Sequence, residues 1–166
     1  MLRILIKPEL CAGCKNCQVA CLAEHSPSGS VWLADLSGGH GRPRNSVELN
    51  SRDLPVPLTC RHCQEPECVT ACITGALSKN PATGLVEHDQ GRCAGCWMCV
   101  MSCPFGMISP EALEKKTAVK CDFCQGRETP RCVEACPTGA ICLAEVSPET
   151  GNNTTPGEAP KEEGLH

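Results

Sequence analysis

This sequence predicts an α+β chain of short helices and hairpins, wrapped on groups of thiols instead of a conventional apolar interior. Three observations carry that expectation. Seventeen of the 166 residues are cysteine, above the share of about 8–10% at which thiol chemistry takes over part of the work of a core. Four residues in all are aromatic, two Trp and two Phe, so the side chains that usually supply most buried area are missing. The stretches between the cysteines break into short apolar runs separated by Pro, Gly, Asn and Ser, the pattern of strands and turns.

Sixteen of the cysteines form four groups of four: Cys11, Cys14, Cys17, Cys21; Cys60, Cys63, Cys68, Cys72; Cys93, Cys96, Cys99, Cys103; and Cys121, Cys124, Cys132, Cys136. The first and third read C-x2-C-x2-C-x3-C, the second C-x2-C-x4-C-x3-C and the fourth C-x2-C-x7-C-x3-C. Only the middle gap stretches. A longer repeat overlies the groups: "CAGCKNCQVAC" matches "CAGCWMCVMSC", and "CRHCQEPECVTACITGAL" matches "CDFCQGRETPRCVEACPTGAI". Groups one and two thus form a unit repeated as groups three and four. Cys142 stands outside the register and reads as a buried structural thiol in the apolar stretch "AICLAEV".

Disulfides, zinc and iron–sulfur clusters all use thiols at this density. Disulfides need an oxidising compartment, which usually means a signal peptide. The N-terminal "MLRILIKPELCAGC" has only a short apolar run, broken by Arg3 and Lys7, with no cleavage site and no twin arginine. Cysteines at x2 spacing also pair awkwardly. Zinc sites use C-x2-C pairs but rarely add a third cysteine after two residues and a fourth after three. A [4Fe–4S] cube fits the spacing. Three cysteines at x2 intervals let a tight loop wrap the cube with backbone N–H groups aimed at its sulfurs. The fourth lies one helical turn on, and in two-cluster ferredoxins with the C-x2-C-x2-C-x3-C-P run it ligates the other cluster. Small residues, Ala12, Gly13, Ala94 and Gly95, allow the close backbone approach. Pro104 and Pro137 follow the last cysteine of groups three and four and end the helices there; Leu22 and Ile73 stand at those places in groups one and two.

In chain order, Leu2–Lys7 is a strand leading into the first group. An insert rich in Ser, Gly and Pro occupies 24–58, with short strands expected at Val31–Leu33 and Val47–Leu49. Trp32 within it is read as a cover over a cluster rather than a surface anchor. "ALSKNPATGLVEHD" is a hairpin turning at Asn80–Gly84, and "MISPEALEKKTAVK" a strand, turn and strand. Ala140–Val146 closes the folded part as a strand. The domain is expected over 1–146, and the polar, Pro/Gly-bearing tail 147–166 is expected to be disordered or to drape over a partner.

His25, His40, His62, His88 and His166 fall in no ligand spacing and are read as non-ligands. Lys15, Arg61, Arg92, Lys120, Arg127 and Arg131 lie in or beside the motifs. Each ligated cube adds about −2 to the formal net charge of −4, so these cations have counter-charge to meet, and positive neighbours favour the reduced state. The alternative for all six is an ordinary surface role. The charge balance does not suggest nucleic acid, and no segment is long enough for a membrane span. A reducing cytoplasm is the expected location, with export alongside a signal-bearing partner as the alternative.

The segments "PVPLTCRHCQEPECVTAC", "GLVEHDQGRCAGCWMCVMSCPFGMI" and "KKTAVKCDFCQGRETPRCVEACPTGAI" resemble the four-cluster electron-transfer subunits of the dimethyl sulfoxide reductase iron–sulfur type, over about residues 9–146. The resemblance implies two ferredoxin-like dicluster modules in one body, holding four [4Fe–4S] clusters. It implies a nested ligand pairing: Cys11, Cys14 and Cys17 with Cys136; Cys121, Cys124 and Cys132 with Cys21; Cys60, Cys63 and Cys68 with Cys103; Cys93, Cys96 and Cys99 with Cys72. Some relatives put tryptophan at a ligand position and hold a three-iron cluster; here Trp97 falls between ligands, so four four-iron cubes are expected. Relatives serve molybdenum or tungsten pterin enzymes, hydrogenases, carbon monoxide dehydrogenase and aldehyde oxidoreductases. The implied function is a one-electron relay to a large catalytic subunit, a molybdenum or tungsten enzyme acting on formate or an aldehyde being favoured, with a flavin or membrane electron-transfer subunit as a further partner. Cubes fully ligated by cysteine leave no open iron for Lewis-acid chemistry, so the chain is not expected to be an enzyme by itself. The alternatives are a soluble polyferredoxin shuttling between partners, an electron-transfer subunit of a hydrogenase or carbon monoxide dehydrogenase and, with a different metal, a zinc-binding interaction module.

Overall fold

The computed structural model describes residues 1–34, 42–111 and 116–146. Among them eight short strands pair as four two-stranded antiparallel sheets. β1 (Leu2–Ile6) pairs with the last strand, β8 (Ile141–Glu145). β2 (Asn45–Leu49) pairs with β3 (Pro55–Thr59), β4 (Leu77–Lys79) with β5 (Val86–His88), and β6 (Ile108–Glu111) with β7 (Thr117–Lys120). The helices are α1 (Asn16–His25), α2 (Glu67–Thr70), α3 (Met98–Ser102) and α4 (Arg131–Glu134). This is the expected α+β mixture of short helices and hairpins.

Isolated two-stranded sheets and one-turn helices are marginal in water, so something must hold them together. The apolar contacts fall into two small nuclei. Cys17, Cys132 and Ile141 pack with Ile4, Val47 and Val133, and α1 lies against α4. Leu77, Val86, Cys99, Ile108 and Ala118 pack with Val69 and Val100, and α2 lies against α3. The first nucleus joins cysteine groups one and four, and the second joins groups two and three. Chain order is therefore nested. The outer ring is closed by Met1, whose ammonium donates to the Val146 carbonyl at 3.0 Å while the Val146 amide donates back at 2.9 Å. Arg3, 8% exposed, ties β1 to the other nucleus by donating to the carbonyls of Thr83 (3.3 Å) and Gly84 (3.0 Å).

The Asn80–Gly84 turn is present. The Asn80 amide donates to the Leu85 carbonyl and the Gly84 amide to the Asn80 carbonyl, while the Asn80 side-chain oxygen accepts from the amides of Ala82 and Thr83, the Asx geometry that makes asparagine a turn former. The turn expected inside "MISPEALEKKTAVK" lies outside the described residues, although the strands on either side of it are formed. The tail 147–166 also lies outside them.

Two expectations fail. Val31–Leu33 is not a strand: the chain turns there, with the Ala34 amide donating to the Val31 carbonyl. The run is only three residues long and follows a Ser/Pro/Gly turn at 26–30, so it gains no ladder partner among the described residues. Trp32 is not a cover: it is 95% exposed. One strand, β3, went unexpected because Pro55 and Pro57 argue against a strand interior. A two-stranded ribbon leaves each strand an outer edge, and proline, lacking an N–H, is tolerated there.

Candidate metal centres

Each helix carries the third cysteine of its group as its second residue: Cys17, Cys68, Cys99 and Cys132. Four residues later the fourth cysteine lies inside α1 (Cys21), caps α3 (Cys103), or follows the cap of α2 (Cys72) and α4 (Cys136). The sequence spacing therefore becomes one helical turn separating two thiols. The first two cysteines of each group lie in irregular backbone ahead of the helix.

Mutual electrostatic influence tells which thiols adjoin. Burial raises the Cys17 thiol, and Cys14, Cys11 and Cys136 raise it further. Burial pushes Cys21 up to about 12, with Cys121 and Cys124 adding to it. Burial pushes Cys68 up to about 11, helped by Cys60, Cys103 and Cys63. Burial raises Cys99, and Cys93 and Cys72 raise it further. Thiols from distant groups thus lie near one another: Cys136 near Cys17, Cys121 and Cys124 near Cys21, Cys103 near Cys68, and Cys72 near Cys99. The sets also adjoin one another: Cys132, raised by burial, feels both Cys21 and Cys17, and Cys121, raised by burial, feels Cys60. Exposure differs along this succession. Cys14 and Cys96 are exposed, while Cys21, Cys121, Cys124 and Cys132 are buried.

One set lines a cavity outright. Cys72, Cys93, Cys96 and Cys99 share its walls with Thr74, Ala76, Leu77, Ala94, Trp97, Ala118 and His88. At Cys72 burial raises the thiol, but N–H and O–H donors outweigh it and hold the group below its ordinary value; the Leu77 amide donates to Sγ at 3.5 Å and Thr74 Oγ1 lies at 3.7 Å. Cys136 is held low in the same way by the Ile141 amide and Thr138. The repeated "C-x-T-G-A-[L/I]" is therefore a donor cradle for a thiolate.

The third position of each C-x2-C loop takes a left-handed backbone: Gly13 at φ 68°, His62 at 45°, Gly95 at 65° and Phe123 at 63°. At Gly95 a Cβ would sit 2.2 Å from the Lys116 carbonyl oxygen, so only glycine fits. His62 and Phe123 occupy the same conformation despite its strain and pack edge to face, ring centroids 5.9 Å apart at 82°. His62 is 2% exposed, and its Nδ1 accepts from the Val86 amide at 2.9 Å. Burial, then Lys120 and Arg3, push its pKa down to about 3. Burial and then Lys120 likewise lower His88. The Nε2 atoms of both histidines are buried and have no hydrogen-bond partner among the described residues.

The six cations part company. Lys120 is 4% exposed, donates to the carbonyls of Val86 (2.5 Å) and Cys121 (2.6 Å), and opposes the burial that raises Cys60 and Cys68. Arg127 and Arg131 are instead engaged by Glu24 and Glu134. Arg61 lies over the Phe105 ring, 4.1 Å from its centroid, and Arg92 donates to the Thr74 carbonyl. Lys15 is exposed at a left-handed position. Cys142 is half-buried rather than buried, its thiol 3.8 Å from the Leu5 carbonyl.

The donor sets fit an iron–sulfur cube better than zinc. Tetrahedral zinc with four sulfurs at about 2.3 Å would hold them about 3.8 Å apart. Among the described residues, the three metal-capable side chains within 4.8 Å of one another are His25, Asp122 and Cys124, and no three thiols are that close. Asp122 in that trio is already paired with Arg44 at 2.6 Å.

The 4Fe-4S dicluster domain profile matches residues 53–146. The chain belongs to this 4Fe–4S dicluster family. The iron–sulfur protein of Rhodospirillum rubrum is 34% identical over 158 residues, covering 86% of this chain and 82% of the relative. Electron transport protein HydN of Escherichia coli is 33% identical over 84% of this chain and 86% of its own length. A sulfite dehydrogenase subunit of Allochromatium vinosum is 32% identical, with 87% and 69% covered. The chain spans only 21% of the length of AegA from Escherichia coli, to which it is 37% identical. Membership makes the chain an electron-transfer protein that binds 4Fe–4S clusters, as the thiol groups lead one to expect. No helix among the described residues is long and apolar enough to cross a membrane.

Proposed function

We propose that this chain, as a 1–146 double-dicluster body with its 24–58 insert and 147–166 tail, holds four [4Fe–4S] clusters and relays single electrons along them between a catalytic oxidoreductase subunit and a second redox partner. The ligand sets are Cys11, Cys14, Cys17 and Cys136; Cys121, Cys124, Cys132 and Cys21; Cys60, Cys63, Cys68 and Cys103; and Cys93, Cys96, Cys99 and Cys72. The observation that carries the reading is the succession of adjoining thiol sets whose two ends, at Cys14 and Cys96, reach the surface. Cys21, Cys121, Cys124 and Cys132 are buried while Cys60, Cys63, Cys68 and Cys103 are partly exposed, and thiols that reach the surface at two separate places are what a relay between two docked proteins needs.

The clusters would supply one-electron acceptance and donation. The chain supplies the rest. The amide and Thr donors at Cys72 and Cys136 steady thiolate charge, and Lys120 sets a positive charge between the Cys60 and Cys121 loops. The favoured partner is the large subunit of a molybdenum or tungsten pterin enzyme oxidising formate or an aldehyde in the cytoplasm; a flavin or membrane electron-transfer subunit would take the other end. The likeness to a sulfite dehydrogenase subunit supports a place in a heteromeric oxidoreductase.

Anaerobic preparation with iron and sulfide analysis tests the cluster content. About sixteen irons and sixteen sulfides per chain are expected; zinc, or half that iron, overturns it. Size-exclusion of native extract followed by mass spectrometry tests the assembly. Travel with a much larger pterin protein is expected, and migration alone favours the independent polyferredoxin.

A further inference from the structure

The internal repeat gives two of the thiol sets equivalent surroundings. Ile6 lies five residues before Cys11 and pairs across its sheet with Ile141, five residues after Cys136. His88 lies five residues before Cys93 and pairs with Leu77, five residues after Cys72. In both places a three-residue 3-10 turn, Pro8–Leu10 or Gln90–Arg92, then leads into the first cysteine. At the same point of the repeat one set thus has an isoleucine and the other an imidazole.

The Nε2 of that imidazole is not spent on the protein among the described residues. His88 lines the cavity bounded by Cys72, Cys93, Cys96 and Cys99, and its buried Nε2 has no partner among the described residues. A buried nitrogen without a partner is costly, so buried polar atoms are nearly always satisfied. The side-chain acceptors lining this cavity are the Thr74 hydroxyl, already engaged with Cys72 Sγ at 3.7 Å, and the sulfurs, which carry thiolate or sulfide charge and are the stronger acceptors.

We infer that His88 donates an N–H···S hydrogen bond to the cluster seated among Cys72, Cys93, Cys96 and Cys99, making that cluster easier to reduce than its repeat-related counterpart among Cys11, Cys14, Cys17 and Cys136. This rests on the ligand sets proposed above. Hydrogen bonds to cluster sulfur favour the more negative, reduced state and raise the potential. Ile6 offers no such donor. Two sites built on one duplicated plan therefore differ in potential through one side chain, which biases the distribution of electrons along the chain. His88 acts on the cluster through a hydrogen bond and is a positioning residue, not a ligand.

The test is EPR-monitored redox titration of the full chain as wild type, His88→Ile and His88→Gln, with iron counted in each sample. Isoleucine is the residue the repeat already carries at this place, and glutamine restores an N–H donor of similar reach. The expected result is a negative shift of one midpoint potential in His88→Ile, the others unmoved, with His88→Gln returning toward wild type. Four unmoved potentials at full iron, or identical behaviour of the two variants, overturn the inference, since a merely structural role would not distinguish glutamine from isoleucine. Should His88→Ile lose iron, the reciprocal Ile6→His carries the test: a raised potential in one cluster is expected, and unchanged potentials at full iron overturn the idea. Wild-type protein with other than about sixteen irons refutes the four-cluster reading instead.

Discussion

Replacing Gly95 by alanine probes whether the loop between Cys93 and Cys96 is as tightly fitted as its backbone indicates. The new Cβ would fall 2.2 Å from the carbonyl oxygen of Lys116, where real Cβ atoms keep 3.0 Å or more, so about 0.8 Å of backbone displacement is forced at this contact. One side of the contact is held by two cysteines of the set, and the other opens β7, whose Thr117 and Ala118 are buried. The left-handed φ of 65° adds about 1–2 kcal/mol for any L side chain, and forced displacement in a packed interior adds about 1–3 kcal/mol. The control is Gly106→Ala, at φ 63° with nothing within 4 Å of the new methyl, which carries the backbone cost alone. The two variants should differ by about 1–3 kcal/mol, or about thirtyfold in an equilibrium at the middle of that range. The assay is cluster loss to an iron chelator under argon, followed at about 400 nm. Gly95→Ala should release one cluster's worth of iron well ahead of Gly106→Ala. Matching release curves would refute the reasoning, because they would mean that Lys116 and the loop yield without strain.

Three other outcomes follow from the same geometry. Cys103→Ala should lower iron from about sixteen to about twelve to fifteen by damaging the cluster of Cys60, Cys63 and Cys68, and loss of the EPR signal belonging to Cys93, Cys96 and Cys99 would disprove cross-donation. Lys120→Met removes a buried ammonium between two thiol loops and should lower the potentials of the clusters beside it, whereas Arg131→Met, already paired with Glu24 and Glu134, should move none; equal shifts from both would show that burial of the charge is immaterial. Arg3→Met removes donors to the carbonyls of Thr83 and Gly84 and should cost about 1.5–3 kcal/mol, measured as earlier thermal bleaching than Arg52→Met at an exposed position; coincident bleaching would show that Arg3 does not hold the two nuclei together.

Much of the site was legible because cluster ligation is written in spacing. A thiol four residues past another must lie one helical turn on, and the third cysteine of every group is the second residue of its helix. The Asn80–Gly84 hairpin was legible because asparagine and glycine have specific turn chemistry. The proposed pairing between groups was not, since spacing within a group says nothing of its partner; it was suggested only by a family resemblance. β3 was hidden by Pro55 and Pro57, and Val31–Leu33 misled because a short apolar run reads as a strand whether or not a neighbour exists to pair with it. Trp32 misled because bulk alone does not tell a cover from an exposed side chain. His62 and His88 were passed over as non-ligands. The proposed hydrogen bond from His88 to sulfur leaves no ligand spacing, and the available signal was subtler: His88 stands where its counterpart in the internal repeat is Ile6.

The pairing of β1 with β8, with Met1 and Val146 clasped at the seam, has a consequence for how the molecule is made. A ribosome delivers residues 60–103 before residues 121–146, so with the ligand sets proposed above the middle of the chain holds a complete complement of its own thiols while the earliest ones still wait for mates. On that pairing, biogenesis runs from the inside outward. The first four cysteines to emerge are among the last to be closed over, and cellular factors that donate iron must either guard them through translation or arrive after release.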